Sequence, residues 1–338
     1  MAHSFHIKSD QLHLKWNKAI PSVLTVPSGA EVSFDLRCGG NNQVRPDNAA
    51  TAMADFDFSQ TDPAFGPVFV DGAEPGDVLR VDFLDLQPAD YGWTAVFPGF
   101  GLLADEFPEP AVKIWDLSPA ATLAPSKAAG AAAEAGQRRR AVFKPGISVP
   151  IRPFLGVVGI APAEEGDFST IPPLALSGGN VDTRYLVQGS SLFLPVQTRG
   201  ALFSCGDGHA AQGDGEVCGT AIETPMRARV RLSVEKAGAR SGWALRCPHF
   251  VTPPGARAAV AAEEDAGEYA ALGIHEDPRE AARMALRGVL DWLQADKGLT
   301  RVEAYMLASV AASLRMTEVV DMPNYAVACA IPLSTFSQ

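Results

Sequence analysis

The first three quarters of the chain alternate short apolar and β-branched runs with turn residues such as Pro, Gly, Asn and Asp. Five runs show this pattern most clearly: residues 23–26, 31–36, 78–83, 149–160 and 191–204. Alternation with a period of two between turn residues is typical of antiparallel strands. Few helices fit before residue 260. The pattern therefore predicts a mainly β structure for this part of the chain.

Two helices are predicted near the C-terminus. Asp277 can cap a helix that opens with a proline and has Glu280 at its third position, and Gly298 ends the helical apolar spacing that follows. Thr300 and Glu303 have the spacing of a capping box for a second helix. Strands followed by a late pair of helices predict an α+β fold that is mainly β.

The last segment carries two further expectations. In the second helix, Tyr305 and Met306 belong to an apolar stripe at helical spacing, which predicts that they pack in the core. Residues 319–320 and 325–331 are strand-like and flank a Pro-Asn turn. We therefore expect this segment to end in strands.

A chain of 338 residues with 47% hydrophobic content can bury a large core and is expected to contain two or more subdomains. The pattern divides it into an N-terminal β-rich part (residues 1–120), a variable alanine-rich loop (121–145), a central β-rich part (146–235) and a C-terminal α+β part (236–338). The candidate chemistry lies mostly in the central part.

Composition limits the partners and the compartment. With 28 basic and 39 acidic residues the net charge is −11, which disfavours nucleic acid or an anionic membrane as a partner. No apolar stretch reaches the ~20 residues that cross a bilayer, and the N-terminus has no apolar signal core. Five cysteines without Cys-x-x-Cys spacing predict free thiols and exclude a zinc ribbon. We expect a cytoplasmic protein.

Residues 205–223 are the main candidate site, because Asp, His and Glu occur there among glycines directly after an apolar run. In an extended strand, Asp207 and His209 leave the same face, as two ligands of one cation must. The glycines allow positive φ and close backbone approach, so a loop could fold over a bound ion. A hairpin turn explains the Gly-Asp-Gly-Glu segment equally well, and the spacing of an EF-hand is not present.

Several blocks of sequence form a familiar pattern: residues 66–79, 153–162, 178–182, 200–216, 298–305 and 319–321. The fourth block, which contains Asp-Gly-His-Ala-Ala-Gln-Gly-Asp-Gly-Glu, is close to a signature. In these blocks the chain resembles the acetamidase/formamidase family of metal-dependent amide hydrolases. The resemblance implies that family's mainly β fold with antiparallel sandwich or barrel parts, homo-oligomers, and hydrolysis of a small linear amide to a carboxylate and ammonia.

For such a reaction, a divalent cation can lower the pKa of its water toward ~7 and polarise the carbonyl. We predict Asp207 and His209 as the first metal ligands, Glu223 as the third and Asp182 as the fourth. Glu223 is expected on a strand that returns antiparallel to Ser204, and Asp182 follows a Gly-Gly-Asn turn that resembles part of the family's polar centre. The histidine favours zinc, whereas oxygen-only ligation would suit calcium.

Five further residues complete the predicted site. Glu216 is predicted to act as general base and then as general acid, since the glycine before it can serve as a hinge. Asp214 is predicted to orient Glu216. Asn180, Gln212 and His249 are predicted to bind the substrate.

Structural alternatives stay open for three of these residues. Asp182 is as well suited to a turn or a cap as to metal binding. Glu223 could pair with Arg184 or Arg227. His249 lies between a proline and an apolar residue, which is typical of a hydrogen-bonded structural histidine.

Two other functions also stay open. A β-rich binding or structural protein could hold calcium in a loop formed by Asp207, Asp214 and Glu216. A cysteine-dependent amidase could use Cys205 or Cys218 as its nucleophile, although no lysine lies in the polar stretch to assist it. Metal analysis separates the calcium protein from a zinc enzyme.

Overall fold

The structure is a computed structural model that describes residues 5–122, 139–238, 244–254 and 266–336. The strands are β1 (Phe5–Ile7), β2 (Leu12–His13), β3 (Lys15–Trp16), β4 (Leu24–Val26), β5 (Ala30–Leu36), β6 (Ala64–Val70), β7 (Val78–Pro88), β8 (Tyr91–Val96), β9 (Ala111–Asp116), β10 (Arg140–Lys144), β11 (Ile147–Pro150), β12 (Phe154–Gly159), β13 (Phe168–Ser169), β14 (Gly178–Asn180), β15 (Ser191–Pro195), β16 (Phe203–His209), β17 (Met226–Glu235), β18 (His249–Val251), β19 (Glu268–His275), β20 (Ser313–Glu318) and β21 (Tyr325–Pro332). The α-helices are α1 (Pro278–Lys297) and α2 (Arg301–Ala311). The predicted fold class, α+β and mainly β with two late helices, is confirmed.

Two large sheets form the body of the molecule. The nine-stranded sheet has the order β1-β5-β17-β7-β15-β18-β19-β21-β20 and is antiparallel except where β1 lies beside β5. The six-stranded sheet has the order β14-β12-β16-β6-β2, and its sixth strand, β4, runs parallel to β6. Phe34 of β5 meets Phe203 of β16 edge to face in a core shared by both sheets, with ring centroids 6.3 Å apart. The sheets therefore pack as a sandwich.

Burial along the strands distinguishes the two sheets. In β17, buried residues alternate with more exposed ones, so one face of this strand meets the core and the other meets solvent. Strands β12 and β16 are buried at every residue. Both strands contribute side chains to the core shared by the sheets, and β16 also carries the polar side chains of Asp207 and His209.

The two helices begin and end where their capping residues predict. Asp277 caps α1, and Gly298 ends it in the left-handed region at φ 68°. Thr300 and Glu303 form the predicted capping box of α2. The buried face of α1 closes a second core cluster against β19 and β21.

Two expectations about the last segment are wrong. Tyr305 and Met306 are each 59% exposed, because α2 turns its small residues Ala304 and Ala308 toward the core instead. Residues 319–320 are not a strand. The chain leaves β20 just before them, and the backbone turns back to bond a buried carboxylate.

The two longest predicted strands are shorter than expected. Within residues 149–160, the strand that belongs to the six-stranded sheet is β12, which begins only at Phe154. Residues 191–204 divide between β15 and β16, because the chain turns around Gly200, Ala201 and Leu202, whose φ angles are 76°, 57° and 56°. The apolar pattern marked both regions as buried but did not mark the turn.

Three of the four predicted parts contribute to one sheet. The nine-stranded sheet takes β1, β5 and β7 from residues 1–120, β15 and β17 from 146–235, and β18 to β21 from 236–338. Residues 123–138, most of the predicted variable loop, lie outside the described residues, and β10 follows them. Within the described ranges, none of the helices has both the length and the apolar character needed to span a membrane.

Candidate active site

Strand β16 carries Asp207 and His209 inside the six-stranded sheet, between β12 and β6. The two side chains meet, with His209 Nε2 3.0 Å from Asp207 Oδ2. The sequence pattern predicted a regularly extended strand at this point. The strand is irregular there, because Asp207 is in the left-handed region with φ 54°. Such a backbone conformation costs about 1–3 kcal/mol and is typical of functional sites.

Two glycines leave room for the carboxylates. A Cβ built on Gly156 of β12 would lie 2.1 Å from Asp207 Oδ2 and 2.5 Å from Asp182 Oδ1. A Cβ on Gly39 would lie 2.3 Å from Asp207 Oδ1 and 2.8 Å from Glu223 Oε2. Any side chain at either position would displace the carboxylates, so glycine is required by this close approach.

His209 lies at the centre of a group of acids. Besides Asp207, its Nε2 lies 3.1 Å from Glu223 Oε1 and 3.8 Å from Glu216 Oε1. Its other ring nitrogen, Nδ1, lies 3.6 Å from Asp182 Oδ1. All five side chains are buried. The structure therefore brings the four predicted ligands and the predicted base to one place, which we call the acidic centre.

Two contacts orient the ring of His209. Its Nδ1 donates a hydrogen bond to Gln212 Oε1 at 2.8 Å, and Gln212 Nε2 donates to the backbone oxygen of Asp182 at 2.9 Å. Phe154 meets the ring edge to face, with centroids 5.0 Å apart. With Nδ1 as the donor, Nε2 faces the carboxylates. Gln212, predicted to bind substrate, is thus placed beneath the histidine.

Glu223 reaches His209 from a loop. Its backbone forms isolated antiparallel bridges with His209 and Trp93, and its Oε1 accepts a hydrogen bond from the N–H of Ala221 at 3.0 Å. The strand that follows, β17, lies between β5 and β7 in the nine-stranded sheet. The expectation that this strand returns beside Ser204 is therefore wrong, because its ladder hydrogen bonds go to the other sheet.

Glu216 and Asp214 have different surroundings although they are two residues apart. Glu216 belongs to the acidic centre and has φ 47°. The N–H of Gly215 bonds the backbone oxygen of Thr317 at 3.1 Å, so β20 holds this loop. Asp214 is exposed, and its Oδ2 accepts a hydrogen bond from the hydroxyl of Tyr185 at 2.7 Å. The partner of Asp214 is therefore Tyr185 rather than Glu216.

Three further acids lie at the acidic centre, and none of them was predicted from the sequence as a site residue. Asp321 is buried and accepts a hydrogen bond from Asn180 Nδ2 at 2.7 Å. Glu318 accepts hydrogen bonds from the backbone N–H groups of Val320 and Asp321. Asp62 lines the same pocket and has φ 51°. The acid that ends the family-like Val-Val-Asp block was a usable signal, whereas nothing in the local pattern marks Asp62.

Burial shifts the protonation of the acidic centre. It is the largest cause that raises the pKa of Asp182 and Glu216 well above the usual range, and it raises the pKa of Glu223 to about 7. Neighbouring carboxylates raise these values further, while the histidine opposes the shift. Burial alone would lower the pKa of His209, but the charges of Asp207 and Glu223 outweigh it and raise that pKa well above its usual range.

Several buried oxygens here have no hydrogen-bond partner among the described residues: Asp182 Oδ1 and Oδ2, Asp207 Oδ1 and Glu223 Oε2. In the described part of the chain, no lysine or arginine lines the pocket above them. Buried carboxylates without partners are costly, so this arrangement calls for a cation. Two sets of ligand atoms, each within 4.8 Å of one another, are offered by Asp182, His209 and Glu216 and by Asp207, His209 and Glu223. A histidine nitrogen with carboxylate oxygens fits a divalent metal ion.

A small pocket of about 70 Å³ opens above the acidic centre. Its floor is polar, and its walls are formed by Phe56, Phe58, Trp93, Phe97 and Phe100. These rings pack mostly edge to face, with centroids 4.5–6.4 Å apart. A polar floor beneath aromatic walls suits a small polar group and excludes bulk water from it.

His249 lies elsewhere in the fold. It is fully buried in β18, and its Nδ1 hydrogen-bonds the hydroxyl of Tyr269. A Cβ built on Gly288 of α1 would lie 2.9 Å from its Nε2, so the ring is packed between the nine-stranded sheet and that helix. The pocket above the acidic centre is lined by other residues. This environment corresponds to the structural alternative for His249.

Known proteins resemble the chain over most of its length. The model of the acetamidase/formamidase family matches residues 1–166 and 163–338. A formamidase from Methylophilus methylotrophus is 26% identical over 378 aligned residues, which cover 96% of this chain and 89% of that protein. An acetamidase from Mycolicibacterium smegmatis is 30% identical over 300 aligned residues, which cover 71% and 70%.

The fold agrees with this similarity. The crystal structure of an acetamidase from Bacillus halodurans superposes with a TM-score of 0.81 at 25% identity, covering 98% of both chains. The family match and the structural match both span the residues that form the acidic centre and the two sheets of this chain. The chain therefore belongs to the acetamidase/formamidase family and is an amidohydrolase that acts on the C–N bond of linear amides.

Proposed function

We propose that the protein hydrolyses a small linear amide, such as formamide or acetamide, to a carboxylate and ammonia, with a divalent metal ion and with Glu216 as general base. One observation carries the proposal: the carboxylates around His209 are buried, partly without partners, and face a pocket of about 70 Å³. The names of the relatives, formamidase and acetamidase, support the choice of substrate.

The metal ligands offered by the acidic centre are Asp207, His209, Glu223 and Asp182. A divalent ion bound there supplies Lewis-acid polarisation of the amide carbonyl and a water of lowered pKa. The histidine nitrogen favours zinc or another transition ion over calcium, which prefers oxygen ligands alone. The unpaired oxygens support binding because an ion would supply the positive charge and the contacts that they lack.

Glu216 is suited to hold and move a proton. Its Oε1 lies 3.8 Å from His209 Nε2, farther than the oxygens of Asp207 and Glu223 at 3.0 and 3.1 Å. Burial raises its pKa, which brings the carboxyl group closer to the pH at which an acid–base catalyst works best. Glu216 can therefore take a proton from the attacking water and deliver it to the departing nitrogen.

Asn180 is suited to orient the substrate's amide nitrogen. Its Nδ2 donates a hydrogen bond to Asp321. Its Oδ1 has no hydrogen-bond partner among the described residues, and the side chain lines the pocket. An amide oxygen in this position can accept a hydrogen bond from the N–H₂ group of a carboxamide. Glu318 supports this arrangement because it fixes the backbone of Asp321.

The two alternative functions find less support in the contacts. Cys205 packs in the main core, where burial raises the pKa of its thiol and disfavours the nucleophilic thiolate. The calcium loop would need Asp214 beside Asp207 and Glu216, but Asp214 bonds Tyr185 instead.

We propose that copies of the chain associate through an exposed apolar face. The outer side of α2 exposes Val302, Tyr305, Met306 and Val310, and the neighbouring edge strand β20 exposes Leu314. Exposed apolar residues beside an unpaired sheet edge are typical of contact surfaces. Sedimentation of the natural protein and of Val310→Asp tests this. We expect an oligomer that the substitution weakens, and a monomeric natural protein would contradict it.

We place the protein in the cytoplasm. Its five cysteines are all free thiols, four of them buried. Free thiols suit a reducing compartment. Fractionation of cells that make the protein naturally would test this placement, and recovery outside the cytoplasm would contradict it.

Ammonia release from a panel of small amides, with metal analysis of the same preparation, tests the proposed activity. We expect ammonia from at least one small amide and a stoichiometric amount of zinc or another transition metal. Active protein with less than about a tenth of an equivalent of such metal would contradict the metal assignment. Metal-loaded protein that releases no ammonia from any amide would contradict the activity.

A further inference from the structure

An apolar groove of about 470 Å³ lies beside the pocket of the acidic centre. Its main lining residues are Val96, Phe100, Leu102, Leu103, Phe107 and Val217. Several of them are unusually exposed for large apolar side chains, with Leu103 at 50%, Phe107 at 53% and Val217 at 57%. A contiguous apolar surface of this kind on a folded protein is typical of a binding site.

Phe100 joins the groove to the pocket. Its ring lines both cavities, and it packs against Phe58 in the aromatic wall with centroids 6.0 Å apart. The same ring presses on Gly219, where a Cβ would lie 2.4 Å from it. The pocket and the groove are therefore adjacent across this ring.

The groove is also tied to the loop that carries Glu216. The N–H of Leu102 bonds the backbone oxygen of Val217 at 2.9 Å, one residue from Glu216. A Cβ on Gly101 would lie 2.9 Å from the backbone oxygen of Cys218. The two walls of the groove are thus fixed to each other and to the acidic centre, so a ligand in the groove has a defined position relative to the proposed base.

We propose that the preferred substrate is a linear amide whose acyl group is an alkyl chain of several carbons, with the carboxamide on the acidic centre and the chain in this groove. The inference rests on the proposed function. The pocket of about 70 Å³ has room for the carboxamide and little more, while the groove is several times larger and its lining is apolar. A substrate as short as acetamide would leave the groove in contact with water.

The test compares kcat/KM for acetamide, butanamide and hexanamide by ammonia release from the metal-loaded protein. Each methylene that leaves water should raise kcat/KM roughly fourfold, so hexanamide should exceed acetamide on the order of a hundredfold. In Leu103→Asn and, separately, Phe107→Asn, the ratio of hexanamide to acetamide should fall about tenfold. Leu176→Asn is the matched control, because that leucine is 40% exposed and lines neither cavity, and its ratio should stay that of the natural protein.

Each outcome has a distinct meaning. If the natural protein hydrolyses acetamide but shows no gain with chain length, the groove does not bind the acyl chain, while the proposed activity stands. If no amide releases ammonia, the proposed function fails and this inference fails with it. If Leu103→Asn leaves the ratio unchanged but dissociates an oligomer, the groove is a contact between copies of the chain, and the inference is overturned.

Discussion

Buried carboxylates occur in two kinds of surroundings in this protein. In the nine-stranded sheet, Glu268 accepts one hydrogen bond on each oxygen from Arg315, both at 2.7 Å. At the start of β7, Asp77 accepts from Lys236 Nζ at 2.6 Å and from two backbone N–H groups. Burial opposes the ionisation of Asp77, but these donors outweigh it and lower its pKa. Here the chain provides its own cation.

The acidic centre is the opposite case. Asp182 is equally buried, yet both of its oxygens lack a hydrogen-bond partner among the described residues, and burial raises its pKa. Among the described residues, the cationic group beside it is the ring of His209, which Asp207 and Glu223 share. The difference shows that the fold can pair a buried carboxylate with a basic side chain, as it does for Glu268 and Asp77. The proposed metal ion would supply the positive charge that the acidic centre lacks.

The largest effect should come from removing the residue that all of these acids share. His209→Ala should lose the metal and reduce amide hydrolysis by more than about a thousandfold, because it deletes the nitrogen ligand at the centre of the group. Metal content and ammonia release on the same preparation measure this. His249→Gln is the matched control, since that histidine is equally buried but lies in β18, and it should keep its metal. Full metal content in His209→Ala would remove the basis for the metal site.

Glu216→Gln separates the base from the ligands. The substitution should keep the metal but lower kcat by roughly 10²–10⁴, because the amide occupies the same space without accepting a proton. Asp214→Asn should change kcat by less than about threefold, since its partner is Tyr185. A metal-free Glu216→Gln would make Glu216 a ligand and move the search for the base to Glu223. A fully active variant would mean that Glu216 only forms a turn.

The structural side of the comparison is tested at Arg315. Arg315→Met removes the guanidinium that donates a hydrogen bond to each oxygen of buried Glu268, which should lower the free energy of unfolding by about 3–5 kcal/mol. The metal content should not change, because this pair lies outside the acidic centre. Urea denaturation and metal analysis give the two values. A variant as stable as the natural protein would show that the two kinds of carboxylate do not differ as described.

The smallest effect is a dependence on pH that has opposite sign in the two regions. The pKa of Glu223 is raised from 4.5 to about 7, so without metal its contribution to stability is present below pH 4.5 and is lost as the pH rises through 7. The chelated protein should therefore lose on the order of 1–3 kcal/mol of unfolding free energy over this range. The pKa of Asp77 is lowered, so its contribution persists at neutral pH and is lost only in acid. The free energy of unfolding, measured by denaturation at pH 5 and 7 with and without chelator, checks this. The same change in that free energy between the two pH values with and without chelator would contradict it.

Local signals in the sequence were sufficient for some elements. Asp277 and Thr300 cap their helices as predicted, because a cap depends on the next three residues and on nothing farther away. Asp207, His209 and Glu216 could be gathered into one site for the same reason, since they lie within a single short stretch. The opposite error at Tyr305 and Met306 also has a physical cause. An apolar stripe shows that a helix has an apolar face, but it does not show which neighbouring element, if any, covers that face.

Contacts between distant parts of the chain could not be predicted in this way. Asp62, Glu318 and Asp321 join the acidic centre from segments far from Asp207, and only the pairing of the sheets brings them there. The position of Glu223 depends on the pairing of the strand that follows it, β17, with strands of the nine-stranded sheet. Hydrophobic alternation does not determine that pairing. One-dimensional patterns give the face of a strand but not its neighbours.

The acids of the centre lie at both ends of the gene as well as in its middle. A ribosome that has made the chain as far as β17 has produced Asp207, His209 and Glu223, but neither Asp321 nor the strand β20 that holds the loop of Glu216. At that point the growing chain has all four proposed metal ligands, but it lacks the acid that bonds Asn180 and the strand that holds the loop of Glu216. The acidic centre is therefore complete only when translation is nearly finished, and a product that terminates before β20 should not hydrolyse amides.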